Sequence, residues 1–312
     1  MISKTVAKKM YGGNKMGLPE KGDSKSVVIC MLARDCNKAL KRNIPKIEKL
    51  SLFFKSAHVI VIENDSIDGT KETLRHWSEK NSNVIVISDD TKEITIPNKI
   101  ESGKNPTTSF YRINKMAGFR NKYLTFIKEK SINSDYVIVI DIDLDKIYPQ
   151  KIIKSIENAP SDWCAIFANG LLYSKFPRFT KYYDNYAYIP ANVNKDSFNY
   201  KERHLNVDLL VTLLKKHNYV EVKSAFGGIG IYKYEVFQDT KYRALPSFSG
   251  EDEALCEHVS VNIDAAKYGK LYVSKEMKTL YKKVNFSPFI IFNNSFFIFL
   301  WEKLRKREFS WK

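Results

Sequence analysis

Three aspartates at alternate positions follow one apolar segment of the chain. Residues 136–140 form the kind of continuous run that becomes a strand buried in a parallel sheet, and Asp141, Asp143 and Asp145 come directly after it. Because alternate residues of an extended chain share a face, we expect Asp141 and Asp143 to point to one place, with Asp145 able to join them. Carboxylate oxygens suit Mg2+ or Mn2+, so the spacing predicts a divalent cation that would bridge a diphosphate. The alternative is a solvated turn whose acids only end the strand.

The segments around this cluster alternate between strands and helices. Hydrophobic periodicity predicts strands at 27–32, 58–62, 84–87 and 136–140, and helices at 37–54, 71–79 and 111–128. Alternation of this kind predicts an α/β fold with a mostly parallel central sheet flanked by helices. Ligands of such sheets bind at the carboxyl ends of the strands, which is where the aspartates lie. After residue 151 the pattern is less regular, with short strands predicted at 163–167 and 227–232.

Length and charge bound the kind of protein this is. The 312 residues, 44% of them apolar, suffice for one large domain, which we predict at 26–283 between a basic arm at 1–25 and a tail at 284–312. The net charge of +16 predicts attraction to polyanions, anionic membranes or phosphorylated substrates. In the tail, an apolar stretch is followed by the basic run 303–307. That pairing suits a helix on an anionic membrane surface, or else a helix that packs on the domain or mediates dimerisation.

The cysteines and the start of the chain indicate a compartment. Cys30, Cys36, Cys164 and Cys256 are far apart and form no CxxC pair, which favours reduced thiols. The first residues are polar and rich in lysine, without the apolar segment of a secretory signal. We therefore expect a cytoplasmic protein, with a peripheral position at the cytoplasmic membrane face if the tail binds lipid.

The sequence resembles GT-A glycosyltransferases. It is similar to family 2-like enzymes and, more closely, to the group that includes the fungal capsule-associated mannosyltransferases and their bacterial and viral relatives. The segments that carry the likeness keep the order of the family and lie at 28–35, 63–70, 112–124, 141–145 and 250–258. The resemblance implies a GT-A fold and the transfer of a sugar from a nucleotide diphosphate sugar to a glycan, polysaccharide or lipid-linked acceptor.

The resemblance also implies a set of nucleotide-binding residues. Base and ribose contacts fall on Ala33, Arg34 and Asp65, with Glu63 as a further member. The pair Arg120 and Asn121 matches an arginine-asparagine pair near the nucleotide in relatives, and Arg112 offers a fork of donors to a phosphate. The alternative for Arg112 and Arg120 is a solvated position on a helix surface.

The DxD motif of the family maps onto Asp141 and Asp143, with Asp145 forming a second, overlapping pair. Relatives add a histidine from later in the domain as a further metal ligand, and His258 is the matching residue. For the catalytic base, Asp252 matches the acidic motif of inverting relatives, whereas Glu257 matches the capsule-type group. The alternative is that these acids form the first turn of a helix, where negative charge is favourable.

Two further features of the later segments suit a sugar site. Gly227 and Gly228 present no side chains, so the backbone there would approach the donor sugar closely; a β-bulge is the alternative. The tyrosines that could form a stacking wall for sugars, unless they only pack in the core, are Tyr182, Tyr183, Tyr186 and Tyr188.

Two other functions compete with sugar transfer. A nucleotidyltransferase that makes a nucleotide sugar also needs metal-binding acids, but it usually has a glycine-rich loop where this chain has Ala33-Arg34-Asp35-Cys36-Asn37. A noncatalytic nucleic-acid or membrane-binding module would use the +16 charge, yet no nucleic-acid-binding signature accompanies it. We therefore predict a glycosyltransferase with Mn2+ or Mg2+ as cofactor and no nucleic-acid partner.

Overall fold

The computed structural model describes residues 24–92, 94–96, 105–176, 179–193, 200–247 and 252–286. The predicted basic arm and apolar tail lie almost wholly outside these ranges, as does Glu251. Within the ranges no helix is long and apolar enough to cross a membrane.

Twelve strands occur in the described residues: β1 (Ser26–Ala33), β2 (Ser56–Glu63), β3 (Val84–Ser88), β4 (Tyr136–Asp141), β5 (Trp163–Phe176), β6 (Phe179–Tyr182), β7 (Ile189–Pro190), β8 (Tyr219–Ser224), β9 (Ile229–Lys233), β10 (Leu245–Pro246), β11 (Ala254–Leu255) and β12 (Lys270–Phe286). The α-helices described between them are α1 (Asn37–Ser51), α2 (Thr70–Lys80), α3 (Phe110–Glu129), α4 (Pro149–Glu157), α5 (Tyr200–Lys216), α6 (Val236–Asp239) and α7 (Glu257–Ala265). A short 3-10 helix, Pro106–Thr108, precedes α3.

One sheet of ten described strands forms the centre of the fold. Its order is β3-β2-β1-β4-β9-β5-β12-β8-β7, with β6 paired to β5. Strands β3, β2, β1 and β4 are all parallel, and among the ten only β6, β8 and β9 run in the opposite direction. The predicted α/β class and mostly parallel sheet are therefore confirmed.

Helices cover both faces of this sheet. Alternate residues of β1 enter two separate cores: Val28 and Cys30 pack with residues of α3, α5 and α7, whereas Ile29 and Met31 pack with residues of α1, α2 and α4. All four side chains are fully buried. Full burial of an aliphatic side chain contributes about 1.5–3 kcal/mol, so strands that are apolar on both faces stabilise both layers. The four cysteines are buried and unpaired.

The later half of the chain differs most from expectation. Strand β5 extends to Phe176 and β12 runs from Lys270 to Phe286, and the two pair along their length with several register shifts. Strand β9 begins at Ile229 rather than at the two preceding glycines, because Gly227 and Gly228 adopt positive φ angles of 64° and 85° in a turn. Helices α4 and α5 were not predicted.

Candidate functional site

A cleft of about 350 Å3 opens at the carboxyl ends of β1, β2 and β4. The parallel order β2-β1-β4 brings the three strand ends to one edge of the sheet, and α3 and α7 close the opposite side. The predicted site residues that line this cleft are Ala33, Arg34, Arg112, Arg120, Asp141, Asp143, Glu257 and His258. The structure thus brings together residues that lie up to 225 positions apart in the sequence.

The acidic loop is fixed from below by α1. The side-chain nitrogen of the fully buried Asn43 donates hydrogen bonds of 2.7 Å to the carbonyl oxygens of Ile142 and Leu144. These two carbonyls flank Asp143, whose side chain is exposed to the cleft. Asp145 does not line the cleft, because it forms an ion pair with Arg42 at 3.3 Å. The sequence reasoning missed Asn43, since a lone asparagine in an amphipathic helix gives no signal of its own.

The buried guanidinium of Arg120 connects α3 to both acidic segments of the cleft. Its Nε donates to Glu257 Oε1 at 3.0 Å, and its terminal nitrogen Nη2 lies 3.6 Å from Asp141 Oδ1. Arg120 is 4% exposed and Glu257 is 5% exposed, so neither charge is screened by water as a surface pair would be. The Arg120 guanidinium also lies against the rings of Phe226 and Tyr242. Arg120 is therefore not a solvated helix residue.

The carboxyl groups of the acidic loop retain protons more readily than ordinary aspartates. Burial raises the pKa of Asp141 to about 8, although Arg120 opposes the rise, and the charge of Asp143 adds to it. Burial also raises the pKa of Asp143, with Asp145 contributing in the same direction. Negative charge at this point of the cleft is thus only partly balanced by Arg120, and a bound cation would be favoured there.

The donor set at the loop fits a hard divalent cation that takes its other ligands from water and a diphosphate. Asp141 and Asp143 supply carboxylate oxygens at the wall of one cleft. Across the described ranges, however, no three His, Cys, Asp or Glu side chains are grouped as a metal site, so His258 does not join the aspartates in such a group. Magnesium and manganese sites with one or two protein carboxylates do not need a third protein ligand.

His258 lies at the back of the cleft in an apolar and cationic setting. Its ring stacks on Phe226 with centroids 3.7 Å apart, and neither ring nitrogen has a hydrogen-bond partner in the described part of the chain. Burial and, secondarily, the charge of Arg120 lower the pKa of His258 well below its usual value. The imidazole is therefore neutral at pH 7, which is the form that binds a metal or accepts a hydrogen bond.

Asp184 is a cleft residue that was not among the predicted site residues. Its carboxylate accepts hydrogen bonds from the backbone nitrogens of Gly227 at 2.8 Å and Ala187 at 3.3 Å. Burial raises the pKa of Asp184 to about 6, and those two hydrogen bonds oppose the rise. A buried acid in a cleft is a candidate for substrate contact, but nothing in the spacing of residues 182–188 distinguishes it from a loop aspartate.

The four tyrosines near Asp184 divide into two pairs. Tyr183 and Tyr186 line the cleft, and Tyr183 stacks on Tyr281 of β12 with centroids 4.3 Å apart. Tyr182 and Tyr188 instead pack edge to face in the core. The aromatic wall of the cleft is therefore formed by Tyr183, Tyr186 and Tyr281, and the last of these was not foreseen.

The loop after β2 places Glu63 and Asp65 away from the cleft lining. Glu63 is fully buried and accepts hydrogen bonds from Ser66 N at 2.9 Å and from the Ser88 hydroxyl. Asp65 has a φ of 53°, and its carboxylate accepts from Lys92 N at 2.8 Å, a bond that lowers the pKa of Asp65. Asn64, between them, does line the cleft. The two acids thus shape the loop that presents Asn64.

Four other predicted residues also lie outside the cleft lining. Asn121 exchanges two hydrogen bonds of 2.9 Å with the backbone of Tyr242, which fixes the segment before α7. Asp252 is buried outside the cleft. A Cβ on Gly227 would lie 2.1 Å from the carbonyl oxygen of Ala168, and one on Gly228 would meet Leu144 and Tyr183 at 2.7 Å. These glycines therefore permit close backbone packing beneath the cleft.

Comparison with known proteins identifies the family of the chain. A family model described as Cryptococcal mannosyltransferase 1 matches residues 26–263, which include β1, the acidic loop and most of α7. The chain belongs to the Cryptococcal mannosyltransferase 1 family. Membership of this family confirms, at the level of the family, the prediction of a glycosyltransferase. Among curated proteins no relative matches this mannosyltransferase-family chain.

Several solved structures are similar to this mannosyltransferase-family chain at low identity and at TM-scores below 0.5. The mannosyltransferase PcManGT from Pyrobaculum calidifontis, in complex with GDP-Man and Mn2+, is 12% identical with a TM-score of 0.43, covering 84% of this chain and 58% of its own. GalNAc-T7 with UDP, GalNAc and Mn2+ is 10% identical with a TM-score of 0.46, covering 85% of this chain and 45% of its own. Glucosyl-3-phosphoglycerate synthase from Mycobacterium tuberculosis, in complex with Mn2+, UDP and glucosyl-3-phosphoglycerate, is 11% identical with a TM-score of 0.40. That match covers 86% of this chain and 75% of the synthase chain.

This chain therefore spans little more than half the length of the Pyrobaculum protein. Donor, acceptor and metal are not carried over from these structures to the mannosyltransferase-family chain.

Proposed function

We propose that the chain transfers a sugar from a nucleotide diphosphate sugar to a glycan acceptor, with the donor held in the cleft at the carboxyl edge of the sheet. One observation supports this most directly: the cleft joins the loops after β1 and β2 to the acidic loop after β4. A nucleoside, a diphosphate and a cation would therefore bind next to one another in the cleft. Membership of a mannosyltransferase family favours this function over nucleotidyl transfer and over a noncatalytic module.

The nucleoside end of the donor is proposed to contact the end of β1 and the loop after β2. Ala33, Arg34 and Asn64 line this part of the cleft. The Arg34 guanidinium donates a 2.6 Å hydrogen bond to the Thr95 hydroxyl, and its Nε lies 3.9 Å from Asp35 Oδ2. Its planar guanidinium has donors left for ribose or base oxygens.

The diphosphate is proposed to lie between Arg112 and the acidic loop. One terminal nitrogen of Arg112 donates to the Thr107 carbonyl oxygen at 2.9 Å, while its buried Nε has no hydrogen-bond partner among the residues described. A buried donor without a partner costs about 1–3 kcal/mol, which a phosphate oxygen in the cleft would recover. A guanidinium is well suited to this because its donors match phosphate geometry.

Asp143 and Asp141 are proposed to hold a divalent cation beside that diphosphate. When bound, the cation would offset the charge that develops on the departing nucleoside diphosphate. Asp143 is the more accessible of the two, while Asp141 forms an ion pair with Arg120. Asn43 keeps the backbone of this loop in one conformation, so the carboxylates do not have to be ordered when the donor arrives.

For the group that accepts the acceptor's proton, Glu257 is better placed than Asp252. Glu257 lines the cleft at the start of α7, and its bond to Arg120 fixes the orientation of its carboxylate. Asp252 does not line the cleft. Tyr183 and Tyr281 offer ring faces to the sugar at the neighbouring wall.

The proposal is tested by a donor screen on the full chain. Thermal shifts are measured with UDP-, GDP- and CMP-sugars, each with and without Mn2+, and released nucleotide is then detected. We expect one donor class to stabilise the protein in the presence of Mn2+, and Asp143→Asn to abolish both that shift and nucleotide release. Asp239→Asn, which removes an exposed carboxylate that does not line the cleft, is the matched control. Donor turnover unchanged by Asp143→Asn would refute the site assignment, and pyrophosphate as the product would refute sugar transfer.

A further inference from the structure

A second cavity, of about 320 Å3, lies beside the cleft between the start of α4 and strands β5, β6 and β12. Three lysines line it, namely Lys146, Lys151 and Lys278, together with Tyr148 and Tyr173. We call this cavity the lysine groove. None of the functions discussed above uses it.

The lysine groove has no carboxylate in its own lining. Within the described residues none of its three ammonium groups forms an ion pair. The charge of Lys146 also acts outside the groove: burial lowers the pKa of Lys46, the charges of Arg42 and Lys146 lower it further, and the charge of Asp145 opposes them. Like charges gathered without counter-charges repel each other, so an anionic ligand would be stabilising there.

The groove also offers surfaces for a sugar ring. Tyr148 is 38% exposed, and the ammonium of Lys151 lies 5.3 Å from the centroid of its ring. Leu171, Leu280 and the ring of Tyr173 supply apolar area around the lysine head groups. Aromatic faces beside cationic donors suit a ligand that has both C–H faces and negative charge, as an acidic sugar does.

Two chain segments, the loop after β4 and strand β12, contribute residues to both the lysine groove and the cleft. Lys146 and Leu280 exchange hydrogen bonds of 3.1 and 3.2 Å, and Asp145 N donates to Tyr281 O at 3.2 Å. Tyr281 lines the cleft and Leu280, the residue before it, lines the groove. The loop that begins with Asp141 and Asp143 therefore reaches the groove at Lys146 and Tyr148.

We propose that the lysine groove binds the carboxylate or phosphate groups of an acidic acceptor glycan. This inference rests on the proposed function, because it treats the glycan in the groove as the acceptor of the sugar. It assigns the groove to residues of the acceptor beyond the one that receives the sugar. The binding is electrostatic in large part, so it weakens as salt concentration rises.

The test compares two variants that remove the same charge. One removes the groove lysines, as Lys146→Ala, Lys151→Ala and Lys278→Ala together. The control removes three exposed lysines elsewhere, as Lys80→Ala, Lys128→Ala and Lys216→Ala together. Binding of tetragalacturonate, of its fully methyl-esterified form and of mannose 6-phosphate to the full chain is measured by calorimetry at low salt. We expect the groove variant to bind tetragalacturonate, mannose 6-phosphate or both about tenfold or more weakly than the control does, because three charge-assisted contacts are lost.

Equal binding of both acidic probes by the two variants would overturn the inference, and so would equal affinity of the wild type for the esterified and the acidic tetrasaccharide. Vesicles containing phosphatidylglycerol form a further arm: vesicle flotation lost only in the groove variant, with glycan binding unchanged, would assign the groove to a lipid surface instead. The thermal shift with donor and Mn2+ is recorded on the same samples. A donor shift that persists in the groove variant separates failure of this inference from failure of the proposed function.

Discussion

Replacing Arg120 tests whether the buried ion pairs organise the cleft. In Arg120→Met the apolar stem is kept, but Glu257 and Asp141 lose the cation at 3.0 and 3.6 Å. Loss of one partner from a buried pair costs roughly 3–5 kcal/mol, because the other charge is left uncompensated. For a chain of this size that corresponds to a fall in melting temperature of about 6–10 °C. Arg75→Met is the control, since its pair with Glu79 is exposed and its loss should change stability by less than about 1 kcal/mol.

The cost of Arg120→Met should depend on pH with a defined sign. Burial already raises the pKa of Asp141 to about 8, and Arg120 opposes that rise. Without Arg120 the folded-state pKa of Asp141 increases further above its unfolded value. Below pH 8 this carboxyl is protonated in both folded proteins, so the Asp141 part of the penalty is present above pH 8 and disappears as pH falls below 8.

Urea unfolding followed by tryptophan fluorescence, at pH 8.5 and pH 5.5, measures both effects. The double variant Arg120→Met with Glu257→Gln should lose at least about 1 kcal/mol less than the sum of the single losses, because the two side chains interact directly. The reasoning fails if Arg120→Met costs no more than Arg75→Met, if its cost is the same at both pH values, or if the single losses add.

Three further predictions concern the floor, the back and the support of the cleft. Gly227→Ala should destabilise the protein by about 3 kcal/mol or more, since the added Cβ would meet the Ala168 carbonyl oxygen at 2.1 Å. Gly118→Ala, in an open helical position, should instead stabilise it by about 0.5–1 kcal/mol. Urea unfolding that ranks the two variants in the opposite order would contradict this. Because the pKa of His258 is lowered by burial, the wild type loses stability as pH falls below the unfolded-state value near 6.5; His258→Asn should flatten that slope between pH 7 and 5, and equal slopes would count against a neutral imidazole. Asn43→Leu leaves the Ile142 carbonyl unsatisfied, whereas the Leu144 carbonyl still accepts from Arg42 at 2.9 Å, so it should cost about 1–3 kcal/mol in unfolding and weaken Mn2+-dependent donor binding; undiminished donor binding would remove its positioning role.

Local patterns in the sequence were sufficient for the parts of the fold that surround the nucleotide. Strands β1, β2 and β4 are continuous apolar runs, because parallel strands are buried on both faces, and the helices between them show a 3.6-residue period. Crossover connections between parallel strands return the chain to the same edge of the sheet. That geometry explains why the acidic loop could be assigned to a cleft from its position after a strand alone, whereas Arg34 was assigned by the family resemblance.

The other wall of the cleft depends on contacts that no local pattern encodes. Arg120 and Glu257 are 137 positions apart, and the Tyr183 ring meets Tyr281 only because β5 and β12 pair side by side. Strand β12 was obscured by its lysines, which resemble a solvated tail rather than a strand. The two glycines of the turn were assigned to the donor sugar, but their positive φ angles and the approach of Ala168 show a packing need that acts before any ligand is bound.

The balance of charge in the cleft gives a physical reason for metal dependence that is independent of relatives. Four carboxylates line it, from Asp141, Asp143, Asp184 and Glu257, against three guanidinium groups from Arg34, Arg112 and Arg120. Arg120 is already engaged by Glu257 and Asp141, so ionising the acidic loop, as cation binding requires, leaves surplus negative charge in that part of the cleft. A diphosphate placed there alone would add to that surplus, and like charges in a partly dry cleft repel strongly. A divalent cation would make the contact between the loop and the diphosphate attractive, so we expect donor affinity to fall when Mn2+ is withdrawn.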